Sequence, residues 1–347
     1  MNWLTRRAKA ALAGALAVAV MAVAGCGGGA DKAAGTKAAD GNLEIKLAYH
    51  LPTDHHLSKG MEHFAKKVAE KSQGKIKVTT FPAGQLYNDK SMNDAIMSGG
   101  LDMGLNSTAM WTTVIPAMNV LDVPFLLPSY DSVAKALNGE VGKTLSAEME
   151  KKGVRPLIWA DYGYVQFANS KKPIKTPEDF KGLKLRGYGE IPAETIKALG
   201  ASPVTMGSAE VYMAIQRGTI DGQTSGTTAM YDRKMYEVTK YLTMTNHAFC
   251  EFVLAVNDGF WKKLSDPQKK ILQEAADEVR DEIRAATKAE DERAMKLLAE
   301  KGMEVYQIPA AEVGAWQEAT KSVREDFVKR TGEIGKQLVE QCQAASK

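Results

Sequence analysis

Between residues 172 and 223 short apolar runs alternate with short amphipathic ones, and glycine marks almost every changeover: Gly182, Gly187, Gly189, Gly200 and Gly218. Thr176-Pro177-Glu178-Asp179 opens a short helix, with proline where no N–H is needed and acids facing the positive end of the dipole. Gly182 closes it. Residues 183–186 form a strand, with Leu183 and Leu185 on one face and Lys184 and Arg186 on the other. Gly187-Tyr188-Gly189 makes a turn, and residues 190–199 form a helix ended by Gly200. A strand over 202–206 follows. A helix from Ser208 or Ala209 to Arg217 is closed by Gly218, which tolerates a left-handed cap, and 219–223 is a strand again. Such alternation predicts a mostly parallel sheet covered by helices.

The same order occurs earlier in the chain. Leu43, Ile45 and Leu47 alternate with polar residues as a strand, and Met61, Phe64, Ala65, Val68 and Ala69 recur at helical spacing after Ser58, a suitable N-cap. Residues 75–81 read as a strand, 89–98 as a helix stopped by Gly99-Gly100, and 101–105 as a strand. Pro116, Pro124 and Pro128 break the middle into loops. Residues 157–168, aromatic and β-branched with no helical period, fit a strand crossing to a second lobe. A length of 347 residues with 44% apolar and 25% charged residues suits roughly two globular domains. The last third is helical: Ser265 and Gln268 form a capping box with Pro267 in the first turn, and the pattern runs to about Lys301 before Gly302. At 1.5 Å per residue that helix is about 50 Å long, so it must touch both lobes.

The first residues stand apart from this fold. Arg6, Arg7 and Lys9 precede an apolar run over 10–24 that is too short to span a bilayer comfortably, and the run ends in Val23-Ala24-Gly25-Cys26. Residues 1–25 read as a lipoprotein signal peptide, Cys26 as the lipid anchor, and 26–41 as a flexible tether. Removing 1–25 takes three of the 45 Lys and Arg and none of the 42 Asp and Glu, so the remainder is balanced at 42 against 42. Without a basic block there is no electrostatic footprint for nucleic acid. Past Cys26 only Cys250 and Cys342 remain; an exported location permits either a disulfide or two buried thiols.

Motifs for chemistry are sparse. His50, His55, His56 and His63 fall within 14 residues, a density that raises the question of zinc, yet no paired cysteine or HExxH accompanies them. The sequence therefore predicts no metal and no cofactor, and His50, at a strand end, is a ligand-cleft candidate. Ser72-Gln73-Gly74-Lys75 matches S-x-x-K but lies at a helix end, without S-D-N or K-T-G. No nucleophile elbow, P-loop or dinucleotide fingerprint is present, and an enzyme is not expected. Arg186 carries more: it lies at the carboxyl end of a predicted strand, where open α/β sheets bind ligands, and its guanidinium can grip a carboxylate through two parallel hydrogen bonds.

The stretches Pro173-Ile174-Lys175-Thr176-Pro177-Glu178-Asp179-Phe180-Lys181-Gly182-Leu183-Lys184-Leu185-Arg186, Gly200-Ala201-Ser202-Pro203-Val204-Thr205-Met206, Glu210-Val211-Tyr212 and Gly218-Thr219-Ile220-Asp221-Gly222-Gln223 resemble the DctP-type substrate-binding proteins of tripartite ATP-independent periplasmic (TRAP) transporters. Weaker similarity covers nearly all of the chain after the tether. The resemblance implies a two-lobed α/β periplasmic binding protein of the Venus-flytrap kind, with lobe I over 42–162 plus 251–290 and lobe II over 163–250 plus 291–347. It implies closure on a small organic acid, delivery to a membrane permease, and an arginine at position 186 on the ligand carboxylate. A second arginine common in the segment matching 163–169 is missing here, and Thr224-Ser225-Gly226 replaces a common Glu-Asn, which points to a monocarboxylate. Thr224, Ser225, Asn106 and Ser107 are the expected neutral hydrogen-bonding groups. Tyr164, Tyr188 and Tyr212, with Tyr49, Trp111, Tyr162 and Phe167, are the candidate aromatic walls. Periplasmic location and lipid anchoring complete the expectation; a sensory receptor with the same module and a zinc-binding lipoprotein are the alternatives.

Overall fold

The computed structural model describes residues 42–347, so the signal peptide, Cys26 and the tether lie outside the described residues. Nine strands form one sheet: β1 Leu43–Tyr49, β2 Ile76–Phe81, β3 Met103–Ser107, β4 Val154–Asn169, β5 Lys184–Gly187, β6 Ser202–Thr205, β7 Gly222–Gly226, β8 Tyr241–Asn257 and β9 Glu304–Gln307. The order is β2-β1-β3-β8-β4-β7-β5-β6, with β9 beside β8. β1 to β3 are mutually parallel, as are β5 to β7, in keeping with the helical crossovers read from the sequence. The sheet as a whole is mixed, because β4 and β8 run antiparallel to each other and to β7 and β3 respectively.

β4 and β8 pair along their length, from Val154 opposite Asn257 to Asn169 opposite Tyr241, and so pass through both the β1–β3 half and the β5–β7 half of the molecule. Their register shifts between Asp161 and Gly163 and again between Val165 and Phe167. Gly163 has φ of 118°, where a side chain is strained, and a Cβ there would run into the carboxylate of Asp291. The bulge leaves the Tyr164 amide free to donate to Asp291 at 3.1 Å.

Asp291 belongs to the long helix Asp266–Glu300, whose Ser265/Gln268 capping box is present as read from the sequence. This helix packs on His56–Lys71 of the first half and on Thr227–Asp232 of the second. One of its faces is polar where it crosses β4. Arg284 grips the buried Asp161 carboxylate at 3.0 Å, Thr287 donates to the Asp161 carbonyl at 3.0 Å, and Asp291 accepts from Tyr130 at 2.7 Å and from Thr227 at 3.1 Å.

Apolar clusters lie in both halves. The first half buries Leu47, Phe64, Leu105 and Val279 on one side, and Trp111, Met118, Val133 and Leu145 on the other. The second buries Phe167, Phe180, Leu185 and Trp316, and separately Val211, Ile215, Met230 and Leu298. The last helix, Glu333–Ala345, packs against Tyr130–Asn138 and Glu140–Glu150, residues that the sequence division places in the other lobe. Cys250 and Cys342 are both free and buried, in different clusters. Among the described residues no helix is long and apolar enough to cross a membrane.

Candidate functional site

Strands β1, β3 and β5, together with the loops that follow them, converge with β4 and β8 on one cavity with about 410 Å³ of atom-free space including its mouth. Its polar lining comes from His50, Asp89, Ser107, Tyr162, Arg186, Tyr188, Ser208, Ser225 and Arg233. Leu51, Met110, Val165, Cys250 and Phe252 supply the apolar part. A wider groove adjoins the cavity at Asp89, Met110 and Tyr188.

Arg186 sits at the end of β5 as predicted, and its residue is only 4% exposed. Its Nε donates to the Met206 carbonyl at 3.1 Å, and the guanidinium lies 5.7 Å from the centroid of the Tyr188 ring. It has no carboxylate within 4.0 Å among the described residues. Burial, followed by the nearby positive charge of Arg233, pulls the Arg186 pKa down to about 10, so it stays charged at neutral pH. A desolvated cation without a counter-ion is costly, and an anionic ligand would relieve that cost.

Asp89 and Ser208 join the two halves. The Ser208 amide donates to the Asp89 carboxylate at 3.0 Å, and the Asp89 carbonyl accepts from Asn106 at 2.8 Å. Burial works to raise the Asp89 pKa, but His50, the Ser208 groups and Arg186 outweigh it and hold the carboxyl below its ordinary value. His50 is lowered as well: burial first, then Arg233, bring it to about 4, so the ring is neutral at pH 7. That ring stacks on Phe252 at 5.7 Å.

Several predicted residues meet at this cavity: Arg186, Ser225, His50, Ser107, Tyr188 and Tyr162. The Tyr162 hydroxyl lies 3.1 Å from Ser225 Oγ, and Tyr188 donates to Asp122 at 2.7 Å. Others lie elsewhere. Asn106 stands behind the wall, holding the Asp89 loop and bonded to Asn93 at 2.8 Å. Thr224 points into the packed interior, its hydroxyl buried without a partner. Tyr164 spends its hydroxyl on the Leu127 carbonyl at 2.8 Å, Tyr49 bonds Glu62 at 2.6 Å, Trp111 is core, and Phe167 stacks on His247. Tyr212 is away from the cavity and bonds Glu237 at 2.7 Å on the surface, because its helix turns Val211 and Ile215 inward instead.

The histidines separate into different roles. His55 caps the helix His56–Lys71 and meets Thr228 at 3.3 Å, His56 meets the Asp161 carbonyl at 3.0 Å, and His63 pairs with Glu282 on the surface. Among the described residues no cluster of three or more His, Cys, Asp or Glu is arranged to hold a metal ion.

Arg233, Asp89 and Ser208 were not singled out from the sequence. Arg233 follows the six-residue helix Thr227–Asp232 and Asp89 precedes Met92–Ser98; each reads locally as a solvated loop charge. The signal available was topological, since each lies in the segment that follows a parallel strand: Asp89 after β2, Ser208 after β6 and Arg233 after β7.

Residues 47–331 match the family model for bacterial extracellular solute-binding protein family 7, DctP. The chain belongs to this family. Among curated relatives of this DctP-family protein, the C4-dicarboxylate-binding periplasmic protein of Rhodobacter capsulatus is 30% identical over 332 residues, covering 95% of this chain and 96% of the relative. The 2,3-diketo-L-gulonate-binding periplasmic protein of Escherichia coli is 32% identical over 77% of this chain and 83% of its own. Among solved structures, the sugar acid binding protein of Advenella mimigardefordensis in complex with galactonate superimposes with a TM-score of 0.84, at 29% identity, covering 88% of this chain and 99% of that one. A TRAP periplasmic solute binding protein from Sulfurospirillum deleyianum with bound succinate gives 0.82 at 30% identity, over 88% and 99%. The two-lobed DctP fold expected from the sequence is therefore the fold of this protein.

Proposed function

We propose that this DctP-family protein is an extracytoplasmic receptor that holds a small organic acid between its lobes, with one ligand carboxylate on Arg186, and hands it to a TRAP membrane permease. The observation that carries the reading is Arg186: a buried guanidinium, unpaired by any protein carboxylate, in the wall of the cavity where the two halves meet. Binding of succinate by one structural relative and of galactonate by another supports the ligand class. The preferred ligand carries a single carboxylate and a less charged remainder that packs between Tyr162, Tyr188 and Phe252. Ligand contacts from both lobes favour the closed form, and the lobes divide near residues 162 and 250, with the helix Glu333–Ala345 seated on the first. The protein releases its ligand unchanged, and Cys26 anchors it to a bacterial membrane.

Calorimetry against monocarboxylates, dicarboxylates and sugar acids tests this directly. The best ligand should lose about a hundredfold to a few thousandfold in affinity with Arg186→Ala, the loss expected when one partner of a buried charge pair is removed. Full affinity in a folded variant overturns the site. Mass spectrometry of the mature protein tests the acylated Cys26.

A further inference from the structure

We propose that Arg233 is a second ligand-binding guanidinium and that Asp89, in the same wall, is the internal counter-charge of the cavity as a whole, so that the cavity accepts one negative charge and discriminates against two. The inference rests on the reading of this cavity as an organic-acid site. Four titratable side chains apart from the tyrosines and Cys250 line it: Arg186, Arg233, Asp89 and His50. The two arginines are cationic, Asp89 is anionic and His50 is neutral at pH 7. The sum is a single positive charge, which one carboxylate neutralises and two reverse.

The placement of Arg233 supports a ligand-facing role. Its Nη2 is shielded from solvent and has no hydrogen-bond partner in the protein, an orphan donor that a ligand oxygen would satisfy. Neither it nor Arg186 makes an ion pair among the described residues. Arg233 and Arg186 face the same cavity, where the positive charge of Arg233 joins burial in working against the charge on Arg186 and Asp89 works for it. Asp89 is fixed by the Ser208 amide and its own backbone bond to Asn106, and so cannot swing out of the way of an incoming second carboxylate.

Calorimetry on the mature protein with three matched pairs, butanoate and succinate, 2-hydroxybutanoate and malate, galactonate and galactarate, tests it at fixed ionic strength. Wild type should prefer the monoanion of whichever pair binds. Asp89→Asn should move the ratio at least tenfold toward the dianion. Arg233→Gln should weaken the monoanion at least tenfold, while Arg233→Lys, which keeps the charge, should leave the ratio within threefold of wild type. A ratio unchanged in a folded Asp89→Asn protein, or a wild type that prefers the dianion, overturns the proposal. If that happens while Arg186→Ala still abolishes binding, the receptor reading stands and only the charge assignment falls. If no pair binds to wild type, both fall together.

Discussion

The hydroxyl of Tyr188, just past β5, donates to the carboxylate of Asp122 at 2.7 Å, tying the second half of the molecule to the segment Pro116–Asp122 of the first. Asp122 is 1% exposed, and its other oxygen has no partner. Burial raises its pKa to about 7, while the Tyr188 hydrogen bond opposes the rise. An unfolded aspartate titrates near 3.9. Between about pH 4 and pH 7 the folded chain therefore holds a proton that the unfolded chain lacks. The contribution of this group is full below about pH 4 and is lost as pH rises through 7. Asp122→Asn should remove that dependence, so that the stability difference from wild type changes by up to about 1.4 kcal/mol per pH unit across this window. Urea melts at pH 4.5, 5.5 and 6.5 would show it; parallel curves for the two proteins would contradict it.

Arg186→Met should leave the ligand-free protein at least as stable as wild type, and by the logic of an unpaired buried charge more so, while binding is lost. The check is a thermal melt of both proteins after extensive dialysis to remove bound acid. A large drop in melting temperature would mean that Arg186 is structurally paired.

Gly163 takes a backbone conformation that strains other residues, and a Cβ there meets the Asp291 carboxylate held by Tyr130, Thr227 and the Tyr164 amide. Gly163→Ala should cost roughly 2 to 4 kcal/mol, combining positive φ with a displaced hydrogen-bond cluster. Denaturant titration measures this. A loss under about 1 kcal/mol would show that the long helix yields at this point.

Gly189 differs, because its backbone is extended and any residue could adopt it. A Cβ there would lie 3.0 Å from the Cβ of Ala109, which comes from the short helix after β3 in the opposite half. Gly189→Val should therefore hinder approach of the halves, lowering ligand affinity roughly fivefold to a hundredfold while barely changing denaturant stability. Equal losses in both measurements would mean that this contact exists in the ligand-free protein too.

What could be read from the chain follows from how local each signal is. The elements Lys184–Gly187, Glu190–Ala198 and Ser202–Thr205 emerge because glycine stops and apolar spacing act within a few residues, and the capping box of the long helix is equally local. β8 was not anticipated. It is buried on both faces, so it shows no period-two alternation, and its Thr243, His247 and Glu251 are polar residues enclosed by other elements. Thr243, for example, bonds the Ile174 carbonyl at 2.8 Å. The helix His56–Lys71 begins ahead of the expected Ser58 because His55 supplies the cap. Arg186 was legible as a strand-end cation beside a glycine turn. Arg233 and Asp89 were not, since only the tertiary arrangement buries Asp89, shields Arg233 Nη2 and brings both to the same space.

The continuous pairing of β4 with β8 has a mechanical consequence. Each half of the molecule is built from chain on both sides of these strands, so no single cut releases a piece that owns a complete core. Two of the covalent crossings between halves, β4 and β8, are neighbouring strands of one ladder rather than independent flexible cords, and the long helix is a third. Whatever opens the cavity must bend that ladder, and the long helix clamped across it at Asp161 and Tyr164 bends with it or slides. Stiffness against opening then depends on the hydrogen bonds around Gly163, one residue from Tyr162 in the cavity wall, so what resists opening and what lines the site share the same stretch of β4.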